Sequence, residues 1–280
     1  MASTAEAAPA FAVNSAPVLS EAEFREFQQM IFSVAGIHMQ ASKRTMVAGR
    51  LSKRVKALNL GSYSAYWQYL RRDAAEKQIA VDLLTTNETY FFREPRHFEL
   101  LKDRILPGHF RRHPFRLWSA ACSSGEEAYS AAMVLSDTLG KSRWEVLASD
   151  ISSQVLTRAK AGCYPMTRTD KIPQECLKRH CLRGIGEAEG SLMVDPALRA
   201  KVNFRQINLN TKLPDVGLFD VIFLRNVMIY FNAETKQQIV ARLQACLRPG
   251  GYLIIGHSET LNGLSNGLET VMPSVYRKIQ

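Results

Sequence analysis

The second half of the chain alternates short apolar segments with amphipathic ones, and this alternation restricts the fold more than any other feature. Five segments have the composition of buried strands, namely 116–121, 144–149, 202–209, 219–224 and 252–255. Residues 268–272 and 274–279 are candidates for an antiparallel hairpin at the sheet edge. Strands that alternate with helices are typical of βαβ units, so the sequence predicts an α/β fold with a mostly parallel sheet.

Two residues follow predicted strands at positions where such sheets bind ligands, the carboxyl ends of the strands. Gly125 lies in the turn after the first strand, where a backbone can approach a ligand closely. The turn lacks the G-x-G-x-x-G fingerprint, so a dinucleotide oxidoreductase is not predicted. Asp150 ends the second strand and is placed to accept hydrogen bonds from ribose hydroxyls. Asp150 could equally cap the next helix, and both interpretations stay open here.

The first part of the chain predicts a different, helical domain. Ser20 and Glu23 form a capping box, Gly36 is a helix stop, and a second amphipathic helix spans about 42–58. We therefore expect a flexible tail at 1–18, a helical domain at 19–84, a linker and helix at 85–114, and the sheet domain at 115–280.

The formal charge of +10 is concentrated in this helical domain, where no acid occurs between Glu26 and Asp73. The second helix carries six cations: Lys43, Arg44, Arg50, Lys53, Arg54 and Lys56. Cations that lack acidic partners repel one another, so this pattern favours a binding surface over a merely solvated face. A nucleic acid, an acidic membrane and an acidic protein helix are the candidate partners. No recognition-helix signature indicates nucleic acid specifically.

The segment between Gly162 and Val202 is too long for a simple crossover loop. Its glycines and the strand-like stretch 191–194 predict a small antiparallel β-subdomain, inserted at about 163–201. The alternative interpretation is a structural insertion that has no binding role.

Cysteine and histidine usage predicts neither a disulfide framework nor a metal site. The five cysteines are odd in number and include no C-x-x-C pair, and the six histidines form no ligand pattern. No basic residue precedes Arg25, and no apolar run approaches the ~18 residues of a membrane span. We expect a soluble, cytoplasmic protein.

Four ordered motifs carry a family resemblance: TTNETYFFRE at 85–94, SAACSSGEE at 119–127, RNVMIYF at 225–231 and GHSE at 256–259. The sheet, with Asp150, Gly125 and the Pro-Gly-Gly turn at 249–251, resembles that of methyltransferases that use S-adenosylmethionine. The motifs resemble the signatures of the chemotaxis protein methyltransferases, the CheR family, from about Ser20 to Ile279. Cys122 and Ser124 are conservative departures from the family pattern.

The resemblance implies a class I methyltransferase (Rossmann-like) sheet, preceded by an all-helical domain. It also implies S-adenosylmethionine as cofactor, S-adenosylhomocysteine as product, and glutamates on the cytoplasmic helices of chemoreceptors as acceptors. Arg93 and Tyr230 match the catalytic pair. The matching cofactor contacts are Asn87, Thr89, Arg93, Glu127, Asp150, Asn208, Leu209, Arg225 and Asn226. With a chemoreceptor as partner, the charge of the basic helix predicts that it binds the acidic face of the receptor's helical bundle. Arg183, Gly184 and Gly186 resemble the element that docks a C-terminal receptor peptide in some members.

The chemistry implied by the resemblance needs no general base, because a glutamate with a pKa of about 4.3 is already ionised at pH 7. Catalysis then depends on positioning and on the exclusion of water. A nucleic-acid methyltransferase is one alternative, but no Asn/Asp-Pro-Pro-aromatic motif follows the fourth strand. A non-enzymatic protein that binds the cofactor is another; the retained Arg93 and Tyr230 argue against it.

Overall fold

The computed structural model describes residues 17–109, 113–264 and 267–279, so almost all of the predicted tail at 1–18 lies outside it. The helices of the described part are α1 (Glu21–Ala35), α2 (Arg44–Ala57), α3 (Tyr63–Leu70), α4 (Ala74–Leu84), α5 (Arg96–Leu100), α6 (Glu126–Leu139), α7 (Ser153–Ala161), α8 (Gln174–His180), α9 (Pro196–Arg199) and α10 (Ala233–Ala245). The strands are β1 (Phe115–Ser119), β2 (Trp144–Asp150), β3 (Cys163–Pro165), β4 (Cys181–Arg183), β5 (Ser191–Val194), β6 (Val202–Gln206), β7 (Phe219–Leu224), β8 (Leu247–Ile255), β9 (Leu268–Met272) and β10 (Val275–Lys278).

Helices α1 to α4 form the predicted all-helical domain. Ser20 caps α1 in a complete capping box, and Gly36 ends the helix with a left-handed φ of 72°. The apolar faces of the four helices meet in one core that includes Phe27, Leu51 and Tyr66. The local signals at both ends of α1 therefore act as the sequence predicts.

The main sheet has seven strands in the order β6-β2-β1-β7-β8-β10-β9. The first five are parallel, and β10 is antiparallel to both β8 and β9, which confirms the predicted edge hairpin. Leu117 packs in the core on the face of α6, and its neighbour Trp118 packs in the core on the face of α10. Because alternate strand residues enter opposite cores, the sheet is covered on both faces.

The predicted β-subdomain is present as a separate antiparallel sheet in the order β3-β5-β4. It follows α7, and β4 is one of its edges. The connection between β4 and β5 is a short loop in which Ile185 is 83% exposed. In the described part of the chain, no helix combines the length and the apolar character needed to span a membrane.

Candidate functional site

A cleft of about 820 Å³, including its open mouth, lies at the carboxyl ends of the parallel strands. The structure brings every residue of the predicted catalytic and cofactor set into the lining of this one cleft: Asn87, Thr89, Arg93, Glu127, Asp150, Asn208, Leu209, Arg225, Asn226 and Tyr230. These residues come from segments scattered over more than half of the sequence. Their convergence follows from the parallel strand order, which places the ends of β1, β2, β6 and β7 side by side.

Asp150 is buried at the end of β2, on the floor of the cleft. Its Oδ2 accepts the Ser123 amide at 2.9 Å, and its Oδ1 accepts the Ser152 amide at 3.0 Å. The side chain of Ser152, not Asp150, caps α7, so the capping interpretation is wrong. Burial raises the pKa of Asp150 even though these amide hydrogen bonds oppose the shift. An ionised carboxylate has about four acceptor positions, so Asp150 keeps capacity for a further donor beside these amides.

Gly125 has a structural role that differs from the one its position predicts. Its φ is 96°, and an added Cβ would lie 2.9 Å from the Cβ of Ala159 and 3.1 Å from the hydroxyl of Tyr164. Gly125 is not among the residues that line the cleft. The glycine therefore lets the start of α6 pack against α7, and its approach to a ligand stays a prediction.

A buried ion network stands at the inner wall of the cleft. The Arg225 side chain is fully buried; it donates to Glu127 Oε2 at 2.9 Å, to Glu94 Oε2 at 3.0 Å and to the carbonyl of Arg93. Ser119 donates to the other Glu127 oxygen at 2.6 Å. Burial raises the pKa of Glu127, although the Arg225 charge opposes the shift. The network joins the end of β7, the start of α6 and the 85–94 motif.

Glu94 is the charged member of this network that sequence reasoning missed. It also accepts the Asn226 side-chain amide at 3.1 Å and the His257 backbone amide at 3.2 Å. Burial opposes ionisation, but the Asn226 hydrogen bond and the Arg225 charge prevail and lower the pKa of Glu94 to about 2. The available signal was its place as the last residue of the 85–94 motif.

Arg93 and Tyr230 both line the cleft, and their side chains are only partly buried. Arg93 donates to the carbonyl of Glu88 at 2.9 Å, and its guanidinium lies 5.7 Å from the ring centroid of Tyr90. No carboxylate of the described residues forms an ion pair with it. A partly exposed guanidinium without an acidic partner is available to an incoming carboxylate.

The helical domain closes one side of the cleft, through Ala35 and Ile37. The Asn208 side chain donates to the carbonyl of Val34 at 2.7 Å, and the His38 amide donates to the carbonyl of Tyr230 at 2.8 Å. The cleft is therefore built by both domains, and two of its predicted functional residues bond directly to the last turn of α1 and to the segment that follows it.

Residues 22–85 match the family model "CheR methyltransferase, all-alpha domain", and residues 87–276 match "CheR methyltransferase, SAM binding domain". The chain belongs to the CheR methyltransferase family. Chemotaxis protein methyltransferase 2 of Pseudomonas aeruginosa is 41% identical over 257 residues, which cover 91% of this chain and 92% of that protein. The chemotaxis protein methyltransferase of Escherichia coli is 42% identical over 265 residues, covering 92% and 91%. That of Salmonella typhimurium is 42% identical over 252 residues, covering 88% and 86%.

S-adenosylmethionine is the cofactor of this CheR-family chain, and the side chains that line the cleft suit it. The lining combines the buried Asp150 carboxylate, with lone pairs left for hydroxyl donors, and apolar side chains such as Ile151 and Ile207. A nucleoside presents hydroxyls and a flat base whose faces stack on apolar side chains, so mixed polar and apolar walls fit it.

The basic helix α2 of this CheR-family chain only partly matches its prediction. Arg54 pairs with the buried Glu76 of α4, with Nε donating to Oε1 at 2.8 Å, so the expectation that no acid pairs with these cations is wrong. Arg50 is also engaged within the helical domain, since it donates to the carbonyls of Leu83, Leu84 and Thr85 at 3.1, 3.2 and 2.9 Å. The other four cations are exposed: Lys43, Arg44, Lys53 and Lys56.

Two histidines that share no sequence pattern meet in the fold. His97 and His257 pack ring to ring at 4.7 Å beside Glu94, and burial lowers the pKa of His97 to about 3. Because Arg225 already bonds to Glu94, its positive charge disfavours a metal ion there. His109, His113 and Asp220 form a second such group away from the cleft. That the chain uses no metal stays a prediction.

Proposed function

We propose that this CheR-family chain transfers the methyl group of S-adenosylmethionine to glutamate side chains of chemoreceptors and forms glutamate methyl esters, in chemotactic adaptation. The observation that carries the proposal is the convergence of Arg93, Tyr230 and Asp150 on one cleft. The names of the relatives, all chemotaxis protein methyltransferases, support a chemoreceptor acceptor.

In this proposal Asp150 accepts hydrogen bonds from the ribose hydroxyls of the cofactor, because its carboxylate keeps acceptor capacity beyond the backbone amides that it binds. The remaining contacts come from the cleft walls: Asn87, Thr89, Arg93, Glu127, Asn208, Leu209, Arg225 and Asn226. Since Arg225 and Glu127 are bonded to each other, they act mainly by fixing the wall.

The proposed reaction needs orientation and no proton transfer to a base. The bound cofactor supplies a methyl group on a sulfonium, and the acceptor glutamate is ionised near neutral pH. Arg93 donates to the acceptor carboxylate and fixes its direction, because a guanidinium offers two parallel N–H groups. Tyr230 shapes the wall beside the reacting groups, and closure by the helical domain limits water access.

Two surfaces are proposed to bind the receptor on its cytoplasmic side, so the enzyme is proposed to act in the cytoplasm. The exposed cations Arg44, Lys53 and Lys56 of α2, with Lys43 just before the helix, face the acidic side of the receptor's helical bundle. Edge strand β4 pairs with a C-terminal receptor peptide, with Arg183 exposed at its end. Gly184 supports this turn, since an added Cβ would lie 1.9 Å from the carbonyl of Ala188, and Gly186 adopts a φ of 59°.

A nucleic-acid acceptor is not favoured. Its motivation was the charge of α2, and two of those six cations are engaged within the helical domain. The residues after β7 are Arg225-Asn226-Val227-Met228, which lack the motif used to hold an exocyclic amine.

The test incubates the protein with methyl-labelled S-adenosylmethionine and either receptor-containing membranes or nucleic acid. We expect label on the receptor, released as methanol by mild base, because esters hydrolyse and N-methyl groups do not. Label that resists base, or label on nucleic acid, would contradict the proposal. The matched control is Asp150→Ala, which should lose the labelling.

A further inference from the structure

A buried carboxylate behind the cleft bonds to three backbone amides of two separate segments. Glu259 Oε2 accepts the amides of Asn226 at 2.9 Å and Gly256 at 2.7 Å, and its Oε1 accepts the amide of Met228 at 2.8 Å. Glu259 is 9% exposed and does not line the cleft. We infer that Glu259 is a positioning residue, which sets the backbone of loop 226–230 and thereby the places of Asn226 and Tyr230.

Loop 226–230 needs such a partner because its backbone is irregular. Asn226 adopts a left-handed φ of 56°, which non-glycine residues rarely do. The loop continues in a single turn of 3₁₀ helix, Met228–Tyr230, without a side-chain cap. Early amides of so short a helix have no acceptor within it. Glu259 supplies an acceptor for the amide of Met228, and it holds Asn226 in its left-handed backbone conformation.

Gly256 and Glu259 act as one unit, which accounts for the 256–259 motif. An added Cβ at Gly256 would lie 2.5 Å from the Asn226 side-chain nitrogen and 2.8 Å from Glu259 Oε2. The Glu259 amide also donates to the Gly256 carbonyl at 3.0 Å, closing a turn. The glycine gives the carboxylate access to the loop, so both residues are required for the same contact.

Asn226 is thereby held by two acids, one at its backbone and one at its side chain. Glu259 holds its backbone, and Glu94 accepts its side-chain amide at 3.1 Å. No cation of the described residues pairs with Glu259, so its charge is met by the backbone dipoles. Replacement by glutamine keeps the size but turns one acceptor into an NH₂ group that faces an amide N–H.

The test compares Glu259→Gln with Glu269→Gln, a matched change at an exposed residue of β9. It measures S-adenosylhomocysteine affinity by calorimetry, and kcat and receptor KM well below the melting temperature. For Glu259→Gln we expect roughly a tenfold fall in kcat and about fivefold weaker binding, with receptor KM changed less than about twofold. Glu269→Gln should match the wild type.

The inference rests on the proposed function, and its failure has a distinct signature. A Glu259→Gln protein with a lowered melting temperature but unchanged kcat and product affinity would show a merely structural role and overturn the inference. If Glu259→Gln does not fold, Gly256→Ala perturbs the same contact and must give the same fall in kcat and affinity, or the inference fails. Calorimetry with S-adenosylhomocysteine needs no receptor, so it tests the positioning role even if the wild type fails to methylate receptors.

Discussion

The substitution Arg50→Ala is expected to weaken cofactor binding, although Arg50 lies on the helix proposed to face the receptor. Its guanidinium bonds to three consecutive carbonyls at the end of α4, the last of which belongs to Thr85. Thr85 lines the cleft, and its hydroxyl accepts the Asn87 side chain at 3.2 Å. Loss of the guanidinium therefore frees the start of the segment that forms one cleft wall.

The size of the effect follows from the bonds lost. Hydrogen bonds from a charged donor contribute about 1.5–3 kcal/mol when buried, and Arg50 is partly exposed, so we expect ~2 kcal/mol less free energy of unfolding. If about half of this free energy is lost from the wall formed by Thr85 and Asn87, cofactor affinity falls about fivefold. The neighbouring Lys53 is exposed, and Lys53→Ala should change stability by less than about 0.5 kcal/mol.

Urea unfolding and calorimetry with S-adenosylhomocysteine measure both quantities in the two variants. Lys53→Glu adds the complementary comparison, since it should slow receptor methylation and reduce its salt dependence while cofactor affinity is unchanged. An Arg50→Ala protein with wild-type stability and affinity, and with only receptor methylation impaired, would show that Arg50 serves the receptor surface alone.

Three further predictions concern the cleft. Asp150→Ala should weaken S-adenosylhomocysteine binding by about 1.5–3 kcal/mol, measured by calorimetry, and unchanged affinity would remove Asp150 from the ribose site. Arg93→Lys should lose most of kcat despite keeping the charge, because lysine lacks the paired donors; a wild-type kcat, or a bell-shaped pH profile that moves with His257, would contradict the mechanism. The pKa of Glu94 is about 2 in the folded protein against 4.5 ordinarily, so it stabilises the fold above about pH 4.5, and this stabilisation is lost as the pH falls toward 2. The free energy of unfolding, measured with urea, should change by ~2 kcal/mol less over this pH range in Glu94→Gln than in the wild type. An equal change in both proteins would refute this role of Glu94.

Local pattern in the sequence predicted the elements themselves. The Ser20 capping box, the Gly36 stop and the strands at 219–224 and 268–272 all occur where periodicity and turn residues placed them. Capping, alternation of apolar residues and turn preference act over a few neighbours, so a single sequence contains them. The end of one strand differs from its prediction. The strand predicted at 202–209 ends at Gln206, and residues 207–209 leave the sheet to line the cleft.

The tertiary structure alone decided which partners the charged side chains have. The sequence shows Arg50 and Arg54 only as members of a cluster of cations on α2, but their partners lie 22 to 35 residues further along the chain. The same holds for Glu94 with Arg225 and for Glu259 with Asn226, which are 131 and 33 residues apart. Hydrophobic periodicity states which face is buried and not which element covers it. The role of each buried charge is therefore settled only when the elements pack, because its ionised state requires a specific partner nearby.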